Sequence, residues 1–288
     1  MKDLKISVIM PSFNQVAYID EAIRSVLSQD YPNKELIIID GGSTDGSVEI
    51  IKKYSEQLAY WVSEPDSGQS NAINKGFEKA TGHLLTWSNS DDILLPGTLS
   101  SVANKAISIP DPMQRWIIGG CLWLDKNGSI LRCTKARNWK KFMTKRGLVS
   151  VYSPSSFFSA ELIDELGHLD ETLHYAMDSE LWLRFAKNGV QYTTSANYFW
   201  GLRLHEQAKV SGHLFKDKDD DKQKVVTKKR EAEALEIQKR HEISDFDIKV
   251  SDTMHKLSSI ISVAFWEGRI HTAYYQNQQW QKSLKLFS

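Results

Sequence analysis

Side chains able to hold a polar ligand gather in four short clusters within the first hundred residues: Pro11-Ser12-Phe13-Asn14, Asp40-Gly41-Gly42-Ser43-Thr44-Asp45, Glu64-Pro65-Asp66-Ser67-Gly68-Gln69 and Asn89-Ser90-Asp91-Asp92. Their carboxylates can ligate a hard divalent cation, or take a proton from an attacking hydroxyl. Any one cluster alone is what a turn or a helix N-cap requires. Two more candidates lie further on. Asp178-Ser179-Glu180 opens a helix whose apolar residues are Leu181, Trp182 and Phe185, and Arg203 and His205 alternate along a strand or loop. Acidic residues at a helix start also suit the helix dipole, so spacing alone does not make Asp178 or Glu180 chemical.

The elements that must position these groups are legible around them. Ile6–Met10 is an apolar run closed by Pro11, Leu36–Ile39 is a β-branched run suited to a strand buried on both faces, and Ala59–Ser63 and Leu84–Trp87 follow as strands. Between them, Ile19, Ala22, Ile23, Val26 and Leu27 keep helical spacing, as do Ala72, Ile73, Gly76, Phe77 and Ala80. Strands separated by helices predict an α/β fold with a mostly parallel sheet flanked by helices. Ligands bind such sheets at the carboxyl ends of the strands, where all four clusters fall. Their convergence on one edge outweighs the turn reading of each.

Beyond residue 110 the sequence predicts strands at Trp116–Ile118 and Cys121–Leu124, a hairpin through Lys126-Asn127-Gly128, helices at 160–166 and 179–187, and short strands near 190–194 and 197–200. From Lys216 the chain turns strongly charged, which reads as a solvated linker, and Val225–His241 is a polar helix with a Glu236/Arg240 pair. The predicted organisation is a domain over 1–215, divided into 1–110 and 111–215, with a helical extension over 216–288. Trp116, Trp123, Phe157 and Phe158 could stack on the apolar face of a ligand, but core packing is the default.

Several function classes are disfavoured. Gly41–Gly46 has Walker A spacing, but Ser47 replaces its lysine, and no G-x-G-x-x-G follows the first strand. Acidic and basic residues number 36 each, so no global charge draws the chain to nucleic acid. Cys121 and Cys133 form no zinc pattern or disulfide framework, and the N-terminal residues contain no secretory apolar segment. A cytoplasmic location is expected, with peripheral contact at a membrane's cytoplasmic face permitted by Trp280, Lys282, Lys285 and Phe287. The tail could alternatively pack on the body of the protein, the simplest reading, or mediate a homodimer.

The runs S-V-I-M-P-S-F-N, I-I-I-D-G-G-S-T-D-G-S, G-Q-S-N-A-I-N-K-G-F and W-S-N-S-D-D, with M-D-S-E-L-W-L-R-F and R-L-H, resemble the family 2 inverting glycosyltransferases of GT-A fold. The resemblance spans roughly residues 5 to 212. It implies a nucleotide-sugar donor, with UDP or TDP suited to a carboxylate at the base, and a glycan or lipid-linked acceptor. It assigns Asp40 to the base, with Pro11, Phe13 and Asn14 in the same pocket, and Asp66 and Gln69 to the base, ribose or sugar. The family's D-x-D becomes Asn89-x-Asp91 here, leaving Asp91 as the carboxylate for Mn²⁺ or Mg²⁺, Asn89 as a neutral donor contact, and Asp92 as a helix cap. His205 is implied as a further metal ligand, Arg203 as a diphosphate contact, and Asp178 as general base with Glu180 as runner-up. A nucleotidyltransferase is the rival enzyme class, although no basic, glycine-rich loop follows the first strand. A catalytically impaired carbohydrate-binding or scaffolding protein is the non-enzymatic rival, because Asn89 and Met177 replace expected acids.

Overall fold

The computed structural model describes residues 4–137, 155–209 and 221–244. Its strands form one mixed sheet in the order β3-β2-β1-β4-β8-β6-β9-β5, with β7 alongside β6. The N-terminal half, β1 (Ile6–Ser12), β2 (Lys34–Asp40), β3 (Tyr60–Ser63) and β4 (Leu84–Trp87), is parallel throughout. In the second half, β5 (Ile93–Leu94), β6 (Trp116–Leu124), β7 (Ile130–Thr134), β8 (Ser156–Ser159) and β9 (Tyr192–Arg203) pair antiparallel except for β6 with β9.

Alternation along β1 divides the core between the two faces of the sheet. Ile6, Val8 and Met10 pack with α1 (Ile19–Leu27) and α4 (Thr98–Ile107), and α2 (Ser47–Lys53) adds Ile51. Ile9 faces the other way, towards α3 (Gln69–Lys79), α5 (Ala160–Leu166) and α6 (Met177–Lys187). The approach of α3 is close: a Cβ on Gly76 would stand 2.3 Å from Ile9 Cγ2. Trp182 of α6 stacks between Trp87 and Trp116, at 5.4 Å from each. Trp116, Phe157 and Phe158 are thus core residues, while Trp123 is half-buried.

Three expected boundaries change for physical reasons. Pro11 does not close β1, which runs on to Ser12: pairing with β4 ends at Ile9↔Trp87, so the missing Pro11 N–H faces no partner strand there. The two runs at 116–118 and 121–124 are one strand, because Gly119 and Gly120 make room for the rings of Phe199 and Tyr198. The runs at 190–194 and 197–200 likewise fuse into β9, whose exposed middle at Ala196-Asn197 carries no apolar signal.

The last described helix, α7 (Asp221–Arg240), is polar and holds the expected Glu236–Arg240 pair at 2.6 Å. It lies against the body through Ile237, which is buried in the cluster that contains Met177, Leu181 and Trp182. The charged stretch 216–220 and the aromatic tail with Trp280, Lys282, Lys285 and Phe287 fall outside the described residues. No helix among those described is long and apolar enough to cross a membrane.

The start of β2 carries a buried charge. Glu35 accepts from Ser7 Oγ (2.5 Å) and Thr81 N (2.7 Å) and pairs with Lys5 Nζ (2.6 Å), which ties β1, β2 and the end of α3 together. Burial works against this charge, but the hydrogen bonds from Lys5, Ser7 and Thr81 outweigh it and hold the carboxyl below its ordinary value. An acid depressed in the folded state stabilises it above the unfolded pKa, and that stability is lost as pH falls through the folded value. E35Q should therefore destabilise the fold at pH 7 by about 1.5–3 kcal/mol, the range for hydrogen bonds to a charged group. Thermal melts of both proteins should converge as the pH drops below the ordinary glutamate value of 4.5.

Candidate functional site

The four clusters meet at the carboxyl ends of β1 to β4, joined by their own hydrogen bonds. Asn14, in a left-handed conformation (φ 52°), donates its N–H to Ser43 Oγ (2.7 Å) and accepts from Thr44 N at Oδ1 (2.9 Å). Gln15 N donates to Ser47 Oγ, and Val16 N to Asp45 Oδ2, each at 2.9 Å. The first loop is thereby zipped to the second, and Phe13 is left 60% exposed at the rim.

The second loop is built on Asp40. Its carboxylate is fully buried and accepts from Gly42 N (3.1 Å), Ser43 N (2.8 Å), Ser43 Oγ (2.6 Å) and Ser63 Oγ (2.7 Å). Those four donors engage both oxygens, so Asp40 shapes the loop rather than facing outward. The half-buried carboxylate beside it is Asp66, which accepts from Gly68 N at 2.8 Å. A Cβ on Gly41 would stand 2.7 Å from Asp66 Oδ2. Glycine at 41 is what lets the third loop lay its acid over the second.

A chain of amides joins the third loop to the fourth. Lys209 Nζ donates to Gln69 Oε1 (2.8 Å), Gln69 Nε2 to Asn89 Oδ1 (2.7 Å), and Asn89 Nδ2 to Asp92 Oδ2 (2.9 Å). Asp92 is 1% exposed and also accepts from Arg203 N at 2.8 Å. Burial, then the neighbouring Asp91 charge, push its carboxyl well above the usual carboxylate range. It is not the cap of α4, whose N-cap is Gly97 with no capping side chain.

Asp91, half-buried, turns the other way. Its Oδ2 lies 3.0 Å from His205 Nε2. Arg203, 2% exposed, donates Nε–H to Asp91 O (3.0 Å) and Nη1–H to Lys126 O (3.2 Å), pairs with Glu21 (2.5 Å), and lies 5.1 Å over the Tyr18 ring. With its donors so occupied, Arg203 braces the acidic turn from behind. The Asp91 carboxylate and His205 imidazole suit a divalent cation that takes its remaining ligands from phosphate oxygens and water. Among the described residues, no group of three or more His, Cys, Asp or Glu gathers to hold a metal alone.

The two acids of α6 part company. Glu180 is buried, with Arg184 Nη2 at 2.7 Å and His241 Nε2 at 3.0 Å. Asp178 is half-buried in the same first turn, and its Oδ1 accepts from Ser179 N at 2.7 Å. Residues two apart on a helix do not share a face, so the pair cannot serve one site. Asp178 and Asp91 both act electrostatically on the Lys209 ammonium. Although Lys209 as a whole is exposed, desolvation by the protein crowded around its ammonium lowers its pKa below the ordinary value with help from Arg230, and Glu233, Asp178 and Asp91 oppose the shift. Sequence reasoning missed Lys209, whose only signal was its place four residues after His205. Ser12 and Ser88, at the ends of β1 and β4, stood within the quoted runs without a role of their own; their hydroxyls are buried with no hydrogen-bond partner among the described residues.

Comparison with known proteins matches residues 7–160 to the family described as glycosyl transferase family 2. An uncharacterized glycosyltransferase of Rickettsia felis is 29% identical over 192 residues, 63% of this chain, which spans only 31% of that relative's length. A GalNAc(5)-diNAcBac-PP-undecaprenol beta-1,3-glucosyltransferase of Campylobacter jejuni is 26% identical over 216 residues, 72% of this chain and 67% of the relative. Two solved structures share the fold. S. aureus TarS 1-349 in complex with UDP-GlcNAc has a TM-score of 0.54 at 19% identity, covering 71% of this chain and 60% of that one. The mannosyltransferase PcManGT from Pyrobaculum calidifontis, in complex with GDP-Man and Mn²⁺, has a TM-score of 0.54 at 17% identity, covering 97% and 85%. A family match over more than half of the sequence, on the sheet edge where the four loops meet, places the chain in glycosyl transferase family 2.

Proposed function

We propose that the chain is an inverting glycosyltransferase that moves a sugar from a UDP- or TDP-linked donor to a hydroxyl of a glycan or lipid-linked acceptor. The observation that carries this reading is the joining of four strand-end loops by their own hydrogen bonds, with Lys209 bonded to Gln69 and within electrostatic reach of both Asp91 and Asp178. The undecaprenol-linked acceptor in the name of the Campylobacter relative supports the acceptor class, and the UDP-GlcNAc complex of TarS supports the donor class.

Each side chain then has one task. Asp66 takes the base-reading role first expected of Asp40, because it is half-buried and lies over Gly41, while Asp40 is wholly buried and accepts from its own loop and from Ser63. A carboxylate there accepts the imide N–H of uracil or thymine. Pro11, Phe13 and Asn14 border the same pocket, and the hydroxyls of Ser12 and Ser88, with no hydrogen-bond partner among the described residues, offer further polar contacts. Gln69 and Asn89 orient the diphosphate or sugar, with the Lys209 ammonium beside them to meet phosphate charge. Asp178 takes the acceptor hydroxyl's proton as that oxygen bonds to the anomeric carbon and the bond to the β-phosphate oxygen breaks. A Mn²⁺ or Mg²⁺ ion held by Asp91 and His205 would supply positive charge against the departing nucleoside diphosphate.

Incubating the chain with UDP-GlcNAc, UDP-glucose, TDP-glucose and GDP-mannose, with Mn²⁺, should release nucleoside diphosphate from a uridine or thymidine donor; a carbohydrate-binding scaffold would release none. D178N should cut turnover by about 10²- to 10⁴-fold, the usual worth of a general base, with donor affinity nearly unchanged. A full-rate D178N would remove Asp178 from the mechanism. G41A should weaken donor binding by about tenfold, or ~1.4 kcal/mol, by displacing Asp66. Wild-type donor affinity in a titration of G41A would return the base-reading role to another group.

A further inference from the structure

The helix that carries Asp178 has no cap of its own: Ala176 stands at the N-cap of α6, and no side chain there bonds the first turn. A helix start leaves backbone N–H groups without intrahelical partners. Here the N–H groups of the approach and the cap, His174, Tyr175 and Ala176, donate at 2.9, 2.8 and 2.9 Å to one carboxylate, that of Glu233 on α7. Fifty-seven residues separate Glu233 from Ala176. We infer that Glu233 is a positioning residue that fixes the first turn of α6, and with it the direction in which Asp178 meets the acceptor.

The neighbours of Glu233 act to the same end. Arg230, one turn earlier on α7, lies 5.2 Å over the Tyr175 ring and donates to Lys209 O at 2.8 Å. Arg240 bonds Asp170, and His241 reaches Glu180 on α6. The 169–173 segment is held separately from α3, through Asn74 Nδ2 to Leu169 O (2.9 Å) and Ser70 Oγ to Leu173 O (3.1 Å). Between that anchor and α6, the three consecutive N–H groups all converge on Glu233. Among the described side chains of α7 only Ile237 is buried in the core cluster beneath α6, with Ile243 packed against it just beyond the helix, so polar contacts supply much of the join between α7 and α6. Displacing a reacting group by an ångström can lower a rate about 10²-fold, which makes such a clasp kinetically important.

The inference rests on Asp178 as the base, so the test includes D178N. Full-length wild type, E233A, E233Q and D178N are compared for nucleoside diphosphate release from whichever of the four sugar nucleotides turns over, and for amide hydrogen exchange at 174–176. E233A should lower kcat by about 10- to 100-fold with donor KM within about twofold, and should speed exchange at those amides. E233Q keeps one accepting oxygen, enough for the Tyr175 and Ala176 N–H groups but not for that of His174 as well, and should recover part of kcat. Wild-type kcat in E233A, or an equal loss in E233A and E233Q, overturns the inference. If D178N is inert in the first of those cases, the inference fails alone; if D178N runs at full rate, the base assignment fails and the inference with it.

Discussion

Two carboxylates stand side by side at the end of β4, and the site depends on keeping them different. Asp92 is buried and bonded by the Asn89 amide and the Arg203 backbone, whereas Asp91 meets His205. Two adjacent acids facing the same space would raise each other's cost of ionisation. The fold separates them by turning one inward, where burial favours its neutral form, and leaving the other for the cleft. Arg203 enforces the division. It belongs to β9, yet it holds the backbone carbonyl of Asp91 and the side-chain carboxylate of Asp92, and ends in an ion pair with Glu21 of α1. The acidic turn is thus clamped between the first helix of the chain and the last strand of the sheet.

The same logic recurs at the second loop, where one acid is used for construction so that another can face outward. Asp40 satisfies four donors of its own loop and the next strand. Asp66 then lies over Gly41, where any side chain would collide with it. Counting acids in the cleft overstates how many can touch a ligand. Asp40, Asp92 and Glu180 are buried and bonded within the fold, and Asp66, Asp91 and Asp178 are the acids the proposed reaction uses.

Much of the N-terminal half was legible because its strands are continuous apolar runs punctuated by turn residues. Leu36–Ile39 and Leu84–Trp87 could hardly be anything but buried strands. The second half was harder to read, because Gly119-Gly120 resembles a break and is instead the room that Phe199 and Tyr198 need. Pairings far apart in sequence were invisible in principle. Nothing local announces that Arg203 meets Glu21, or that Glu233 meets Ala176. That these clusters gather at the strand ends was therefore readable from the motifs, but the division of their acids between buried and half-buried positions was not, since it depends on which donors the fold brings to each oxygen.

The end of β4 has one more consequence. Because β4 stops at Trp87 while β1 runs on to Ser12, the two strands part just where the loops begin, and the sheet opens there into a notch. One bank belongs to the parallel half, with its short loops and rigid ladder. The other bank is made of the Asp91 turn, the segment after β9 and the approach to α6, fastened by side chains rather than by strand pairing. On the proposed reading, recognition of the base rests on the first bank, whereas the second meets both the diphosphate, through Asp91, His205 and Lys209, and the acceptor, through Asp178. A lineage built on this plan could exchange acceptors by altering the fastenings near Asp178, while inheriting its base pocket intact.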